Sequence, residues 1–183
     1  ESKVLIIKDI QMDTQNPRIK MFLETYPEIT DENIELALSE NANEGANTTY
    51  TSLKEAIKVS KGVIHPILVN KTKDGKYVVR EGNTRLQIYK QFKESDPNGP
   101  WDTIRCIVYD NLSPEEAHSI RLQSHLVGPR DWDPFSKAKY LTHLSEVEKL
   151  PMEMIISMCG GKKQEIIKLI QAYKDMVGYY MPW

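Results

Sequence analysis

Every strand signal in this chain lies before residue 110, and only helix signals follow it. Short β-rich or apolar runs occur at residues 4–7, 67–70, 77–80 and 104–109, whereas helix starts and helical periodicity fill residues 113–180. Strands that precede a block of helices indicate an α+β fold or two separate domains. We therefore predict a small mixed-sheet α+β domain over residues 1–112, followed by an all-helical domain over residues 113–183.

Composition limits the class of protein but does not specify its function. The 183 residues carry a net charge of −2, with 40% hydrophobic and 27% charged residues, as in ordinary globular proteins. No apolar run approaches the roughly 18 residues of a membrane span, and the N-terminus has no signal-peptide pattern. The start at Glu1 rather than methionine suggests a trimmed or a processed chain. Cys106 and Cys159 are predicted to be buried free thiols, which favours a cytoplasmic protein.

A strand, a glycine turn and a helix follow one another directly in residues 77–89. Tyr77 to Val79 is β-rich, residues 81–83 have turn composition, and a helix over about 84–94 would bury Leu86 and Ile88. Such a junction directs unpaired backbone N–H groups and the positive end of the helix dipole at one point. The pattern therefore predicts an anion site, with phosphate as the first ligand to test.

Arg85 lies in the first turn of this predicted helix, where the dipole disfavours a cation. A bound phosphate would compensate for that, with Arg130 as a second cation. Glu81 would compensate equally well by pairing with Arg85. The residues alone leave these two readings even. The stretches Gly62–Val69, Glu81–Arg85 and Gln123–Arg130 each join a turn to polar or cationic side chains, so together they form the candidate pocket.

Residues 151–176 have the spacing of a helix-turn-helix. A short helix from Pro151, a Cys-Gly-Gly turn and a longer helix from Lys162 follow one another. The second helix would present Lys162, Lys163, Gln164, Lys168 and Gln171 outward, where they can meet phosphates or base edges of double-stranded DNA. A plain helical hairpin with solvated lysines explains the same pattern, so both readings stay open.

Several common enzyme signatures are missing from the sequence. There is no GxxxxGK[ST] loop, CxxC pair, HExxH or GxSxG motif. The four histidines have no metal-ligand spacing, so we predict no metal site made by the protein alone.

Taken in order, these stretches resemble the ParB family of centromere-binding proteins and the wider ParB/sulfiredoxin fold. Asn16-Pro17-Arg18 resembles the family's early NPR element. Residues 62–69 (GVIHPILV) resemble its first box, and residues 82–86 (GNTRL) stand where the family has GERRL. Residues 123–138 resemble the third box, and residues 150–176 its helix-turn-helix. The resemblance covers about residues 4–176.

The resemblance implies a DNA-binding protein with a nucleotide pocket, acting in chromosome or plasmid partition or in regulation, in a prokaryote or phage. CTP with Mg²⁺ is the implied ligand, a homodimer the implied assembly, and a CTPase the implied activity if there is one. The resemblance implies four pocket residues, Gly62, Pro66, Gly82 and Arg85. The other candidates lie in the same three stretches of sequence: His65, Glu81, Asn83, Thr84, Gln123, Ser124 and Arg130. Sulfiredoxin activity is excluded, because the glycine motif has no cysteine.

Three departures from the family pattern keep other functions open. Asn83 and Thr84 replace the acidic residue and first arginine of GERR, and Gln123-Ser124 replaces the E-N pair of the third box. A partner-binding module with a degenerate pocket is therefore one alternative. An enzyme on the same fold, a nucleotide-dependent phosphotransferase or a nuclease, is another, with Glu81 as the catalytic candidate.

Overall fold

The computed structural model of this protein describes residues 1–26, 28, 30–40, 50–124, 132–159 and 162–180. Its backbone divides into two compact units, Glu1–His118 and Ser119–Trp183. Each unit has its own cluster of buried apolar side chains. The division falls within a helix, whereas the sequence places the domain boundary at residue 112.

Unit 1 is a mixed sheet with helices. Its strands are β1 (Ser2–Ile6), β2 (Ile10–Gln11), β3 (Ile67–Lys71), β4 (Tyr77–Glu81) and β5 (Thr103–Asp110). Its helices are α1 (Pro17–Thr25), α2 (Asp31–Glu40), α3 (Tyr50–Ser60) and α4 (Asn83–Ser95), and α5 (Pro114–Leu122) crosses the division between the units. The strand order is β1-β5-β3-β4-β2. Pairs β1–β5 and β3–β4 are antiparallel, and β3–β5 and β2–β4 are parallel. The predicted α+β class is confirmed.

The alternation of side chains along β5 separates the core from the outer face of the sheet. Ile104, Cys106 and Val108 are buried, whereas Thr103 and Arg105 are exposed. The buried side chains of β5 belong to the same apolar cluster as residues of β3, β4 and α4. Cys106 is a free thiol whose pKa is raised to about 11 by burial, as predicted for a packing cysteine.

Strand β1 lies at the edge of the sheet and is less buried than its sequence suggests. Val4 is 63% and Ile6 is 45% exposed, whereas Ile7, in the single 3₁₀ turn after the strand, is 7% exposed. The apolar run Val4-Leu5-Ile6-Ile7 predicts a short buried strand, and this prediction is wrong for Val4 and Ile6. An apolar run of this length does not reveal whether its strand is central or at an edge.

Unit 2 is helical in the part that the structure describes. Helices α6 (Pro134–Glu146), α7 (Met152–Met158) and α8 (Lys163–Tyr180) follow α5. Asp133 caps α6 by accepting a hydrogen bond from Ser136 N–H at 2.9 Å, with Pro134 in the first turn. The Ser113-Pro114-Glu115-Glu116 sequence predicts a helix from about residue 113 to about Leu126. In the structure α5 ends at Leu122, and residues 125–131 lie outside the described chain. No described helix is both long and apolar enough to cross a bilayer.

Candidate functional site

Gly82 shapes the turn between β4 and α4. Its φ of 106° lies in the left-handed region, and it precedes the first residue of the helix. A Cβ at this position would lie 2.5 Å from Ile67 Cγ2 and 2.9 Å from Ile67 Cβ. Glycine is required here twice over, because both the backbone conformation and the close approach of β3 exclude a side chain. The predicted strand-glycine-helix junction is confirmed.

Arg85 ties this turn to the segment that precedes β3. Its Nη1 donates to the carbonyl oxygens of His65 at 2.6 Å and Pro66 at 3.0 Å. Its Nη2 pairs with Oε2 of Glu81, four residues earlier. The two side chains are only 11% and 19% exposed, respectively. His65 and Pro66 therefore contribute backbone carbonyls to this cluster, and Arg85 holds three parts of unit 1 together.

The pairing with Glu81 supplies a counter-charge for Arg85 from within the protein. The carboxylate compensates for the cation at the start of α4 without any bound ligand. Glu81 is also the catalytic candidate, and a substrate would have to compete with Arg85 for its carboxylate. The geometry thus favours a structural role for this pair, one of the two readings that the sequence left even.

Asn83 connects the turn to the early Asn-Pro segment. Its side chain is 4% exposed, and its Oδ1 accepts a hydrogen bond from Asp13 N–H at 3.0 Å. Asp13 in turn accepts from Gln15 N–H through its side chain and from Asn16 N–H through its carbonyl. Two stretches that are far apart in sequence, residues 13–16 and 81–85, therefore meet at the start of α4.

The start of α4 offers donors that the described residues do not use. The first-turn N–H groups of a helix have no acceptor within the helix, and its first intrahelical bond here runs from Leu86 N–H to Gly82 O at 3.0 Å. Asn83 Nδ2 is buried and has no hydrogen-bond partner among the described residues. Thr84 is half-buried beside them. This arrangement suits the oxygen atoms of an anion.

Of the remaining predicted pocket residues, only Gly62 is a described residue of unit 1, and it lies apart from this cluster. Gly62 follows α3 and would place a Cβ 3.4 Å from the hydroxyl oxygen of Tyr89, in a cavity whose lining does not include Gly82 or Arg85. Gln123 and Ser124 belong to unit 2, where Gln123 Nε2 donates to Ser119 Oγ at 3.0 Å. Arg130 lies outside the described residues.

The predicted DNA-binding side chains all lie on exposed positions in the first half of α8 or directly before it. Lys162, Lys163, Gln164, Lys168 and Gln171 are exposed, whereas Ile166 and Ile170 are buried in the core of unit 2 with Ile155 and Cys159. Lys162 Nζ lies 3.8 Å from Glu165 Oε2, and Gln171 donates to Asp175 at 2.8 Å. Lys163 and Lys168 have no ion-pair partner among the described residues.

Sequence reasoning missed Asp13, Tyr89 and Arg105 as polar groups with specific contacts. Asp13 was visible only as part of a polar turn, and Tyr89 only as a buried helix position. Arg105 could have been noticed as a cation on the outward positions of an alternating strand. Among the described residues, no three His, Cys, Asp or Glu side chains form a metal site.

Comparison with known proteins identifies the fold of this chain. No family model matches the chain, and no curated protein matches it. A solved structure of the C-terminally truncated chromosome-partitioning protein ParB from Caulobacter crescentus, complexed to the centromeric parS site, aligns over 98% of this chain and 76% of its own, with a TM-score of 0.51 and 16% identity. The chain has a ParB-like fold.

A second structure of the same Caulobacter crescentus protein, complexed with CTP-gamma-S, covers 98% of this chain and 87% of its own with 16% identity and a TM-score of 0.41. At this identity the likeness is one of fold. The expected ParB-like fold is confirmed by the parS complex, with its TM-score of 0.51. Function has to be argued from the residues that this chain places on the fold.

Proposed function

We propose that this protein is a DNA-binding protein of the partition type, with α8 as its DNA-contacting helix. The observation that carries the proposal is the exposed basic start of α8 on a chain with a ParB-like fold. Lys163, the first residue of α8, and Lys168, in its second turn, are exposed, whereas Ile166 and Ile170 are buried. Unpaired cations beside amide side chains match a phosphate backbone flanked by base edges.

Replacement of Lys163 and Lys168 together by glutamine tests this proposal. We expect binding of a fluorescent 40-base-pair duplex to weaken, and the slope of log affinity against log salt to decrease by about 2, since about one counterion is released per lysine–phosphate contact. Fluorescence anisotropy at several salt concentrations measures both quantities.

The matched control replaces two exposed lysines of unit 1, Lys58 and Lys73, by glutamine. It changes the net charge by the same amount and is expected to leave the salt slope nearly unchanged. Equal slopes for the two double variants would contradict a DNA-binding role for α8, because only overall charge would then matter.

We further propose that the start of α4 binds a nucleotide, with CTP as the first candidate. The unused first-turn N–H groups, the buried Asn83 Nδ2 and the left-handed Gly82 support this site. The internal pairing of Arg85 with Glu81 means that Arg85 is not required to contact phosphate. Thr84, half-buried in the same turn, is the position from which a side chain can alter the affinity.

Three substitutions of Thr84 separate binding from folding. We expect the affinity for CTP with Mg²⁺ to rise in the order Glu, Gln, Arg, because a cation attracts and a carboxylate repels the phosphates. The helix dipole gives the opposite order of stability, with differences of about 0.3–1 kcal/mol. Isothermal titration calorimetry and thermal unfolding measure the two orders.

Parallel orders of affinity and stability would show that the variants act through folding, and the nucleotide site would then be wrong. No heat of binding with CTP, ATP, GTP or ADP in any variant would instead favour a protein that binds its partners without nucleotide. Turnover of nucleotide that survives Glu81→Gln would exclude Glu81 as a catalytic residue.

A further inference from the structure

A cavity of about 380 Å³ opens near the start of β5 in unit 1. The side chains that matter for its chemistry are Val4, Lys61, Ile64, Tyr89, Thr103 and Arg105. Two of these carry a positive charge, two carry a hydroxyl group, and no acidic residue is among the described residues that line the cavity. Its volume falls in the range of sites for small organic ligands.

Arg105 is held in place by the loop that leads into β3. Its Nη2 donates to Val63 O and, at 3.4 Å, to Ile64 O. These are its only hydrogen bonds to described residues, so Nε and Nη1 keep their hydrogens for another acceptor. An arginine that is positioned by two carbonyls, with donors to spare, is preorganised to bind an anion.

Tyr89 brings a buried hydroxyl group to the same cavity. The residue is 3% exposed, and its oxygen accepts a hydrogen bond from Val63 N–H at 3.0 Å. Its own hydrogen has no acceptor among the described residues. Burial raises the pKa of Tyr89, against the smaller opposing effects of Val63 N–H and Arg105, so the hydroxyl stays protonated at neutral pH. A buried donor without an acceptor indicates a missing partner.

The rim of the cavity combines a cation with apolar side chains. Lys61 has a φ of 49°, a backbone conformation that glycine adopts more easily, and no ion-pair partner among the described residues. Ile64 is 73% and Val4 is 63% exposed. A ligand with an anionic head and an apolar body would satisfy the buried donors and cover these two side chains at once.

We propose that this cavity is a binding site for a small organic anion, a carboxylate or a phosphate monoester attached to an apolar group. Arg105 and Tyr89 donate hydrogen bonds to the anionic head, Lys61 adds long-range attraction, and Val4 and Ile64 contact the apolar body. None of Gly82, Asn83 and Thr84 lines the cavity, so this site is separate from the proposed nucleotide site.

Titration of ¹⁵N-labelled protein with phenyl phosphate, benzoate and benzyl alcohol tests the proposal. We expect saturable shifts of the amide signals of Gly62 to Ile64 with one or both anions and none with the neutral alcohol. The stronger of the two anions identifies the head group that the site prefers. No saturable shift with either anion would overturn the proposal.

Two cavity variants and one control locate the binding. Arg105→Gln keeps a donor for the carbonyls of Val63 and Ile64 but removes the charge, and we expect about tenfold weaker anion binding. Tyr89→Phe keeps the ring, and we expect several-fold weaker binding. Lys58→Gln, on the exposed surface of α3 and outside the lining, should bind as the unmodified protein does.

Two results would contradict the proposal. Equal weakening in Lys58→Gln and Arg105→Gln would show general attraction of anions to the surface. Displacement of phenyl phosphate by excess CTP, or its loss in Thr84→Glu, would show that the cavity belongs to the nucleotide site. Unchanged phenyl phosphate binding in Thr84→Glu is the result that we expect, whether or not CTP binds at α4. Tyr89→Phe also removes the acceptor for Val63 N–H and could unfold the protein for that reason. In that case the Arg105 variant alone tests the proposal.

Discussion

Gly82→Ala is expected to lower the free energy of unfolding of unit 1 by about 3 kcal/mol. The new methyl group would meet Ile67 at 2.5 Å, and it would sit on a backbone with φ of 106°. Ile67 is fully buried in β3, so the neighbour cannot move without disturbing the sheet. Urea denaturation measures the loss of stability, and hydrogen exchange of the β3 amides assigns that loss to unit 1.

Gly75→Ala is the matched control, because it has the same kind of backbone without the contact. Gly75 has a φ of 81°, and a Cβ there would meet no atom within 4 Å. Its substitution should cost only about 1 kcal/mol, the price of the left-handed conformation. If the two variants lost the same stability, the close approach of Ile67 to Gly82 would have no energetic consequence.

Arg85→Ala is expected to destabilise unit 1 by about 3 kcal/mol, with or without nucleotide. The substitution leaves the Glu81 carboxylate, which is 19% exposed, without its counter-charge, and it removes the donor to His65 O and Pro66 O. Urea denaturation in nucleotide-free buffer measures the effect.

Lys93→Ala is the comparison, because Lys93 makes a similar set of contacts at the solvent-exposed surface. Lys93 Nζ lies 2.8 Å from Asp102 and donates to Pro97 O, but the two side chains of the ion pair are 33% and 63% exposed. Solvent screening limits such a pair to about 0.5 kcal/mol. An Arg85 variant as stable as the Lys93 variant would show that the Arg85 cluster does not hold the turn in place.

The expected destabilisation by Arg85→Ala changes how a loss of nucleotide binding should be interpreted. A variant of Arg85 that fails to bind CTP would be ambiguous, because the same substitution loosens the turn that carries the proposed site. Thr84 lies in the same turn without these contacts. The Thr84 series therefore tests the site, and the Arg85 variant tests the architecture beneath it.

The local elements of this fold could be predicted because their causes lie within a few residues. Residues 113–116 (SPEE) have the sequence pattern of a capping box, which predicts a helix start. In the structure Ser113 accepts from Glu116 N–H at 3.2 Å, and the Glu116 carboxylate accepts from Ser113 N–H at 2.8 Å. Asp74-Gly75 between two β-rich runs predicts a hairpin, and the antiparallel pair β3–β4 turns at Gly75. Gly82 could be identified from the sequence because the strand before it and the helix after it are both local patterns.

Features that depend on distant residues could not be predicted. The carbonyl partners of Arg85 lie 19 and 20 residues earlier, and Asn83 meets Asp13 across 70 residues. The sequence showed the i, i+4 partner of Arg85 but could not rank it against a phosphate. Helix α1 was missed because Asn16-Pro17 reads equally well as a turn and as a helix start with proline in the first turn.

The pairing of β1 with β5 has a consequence for synthesis on the ribosome. β1 (Ser2–Ile6) is translated well before its neighbour in the sheet, β5, which begins at Thr103. At about 5–20 residues per second, the apolar β1 waits roughly 5–20 s for its partner to be translated. The sheet of unit 1 is therefore completed only after translation has passed Asp110. A stall before that point would leave the apolar β1 unpaired and accessible to chaperones.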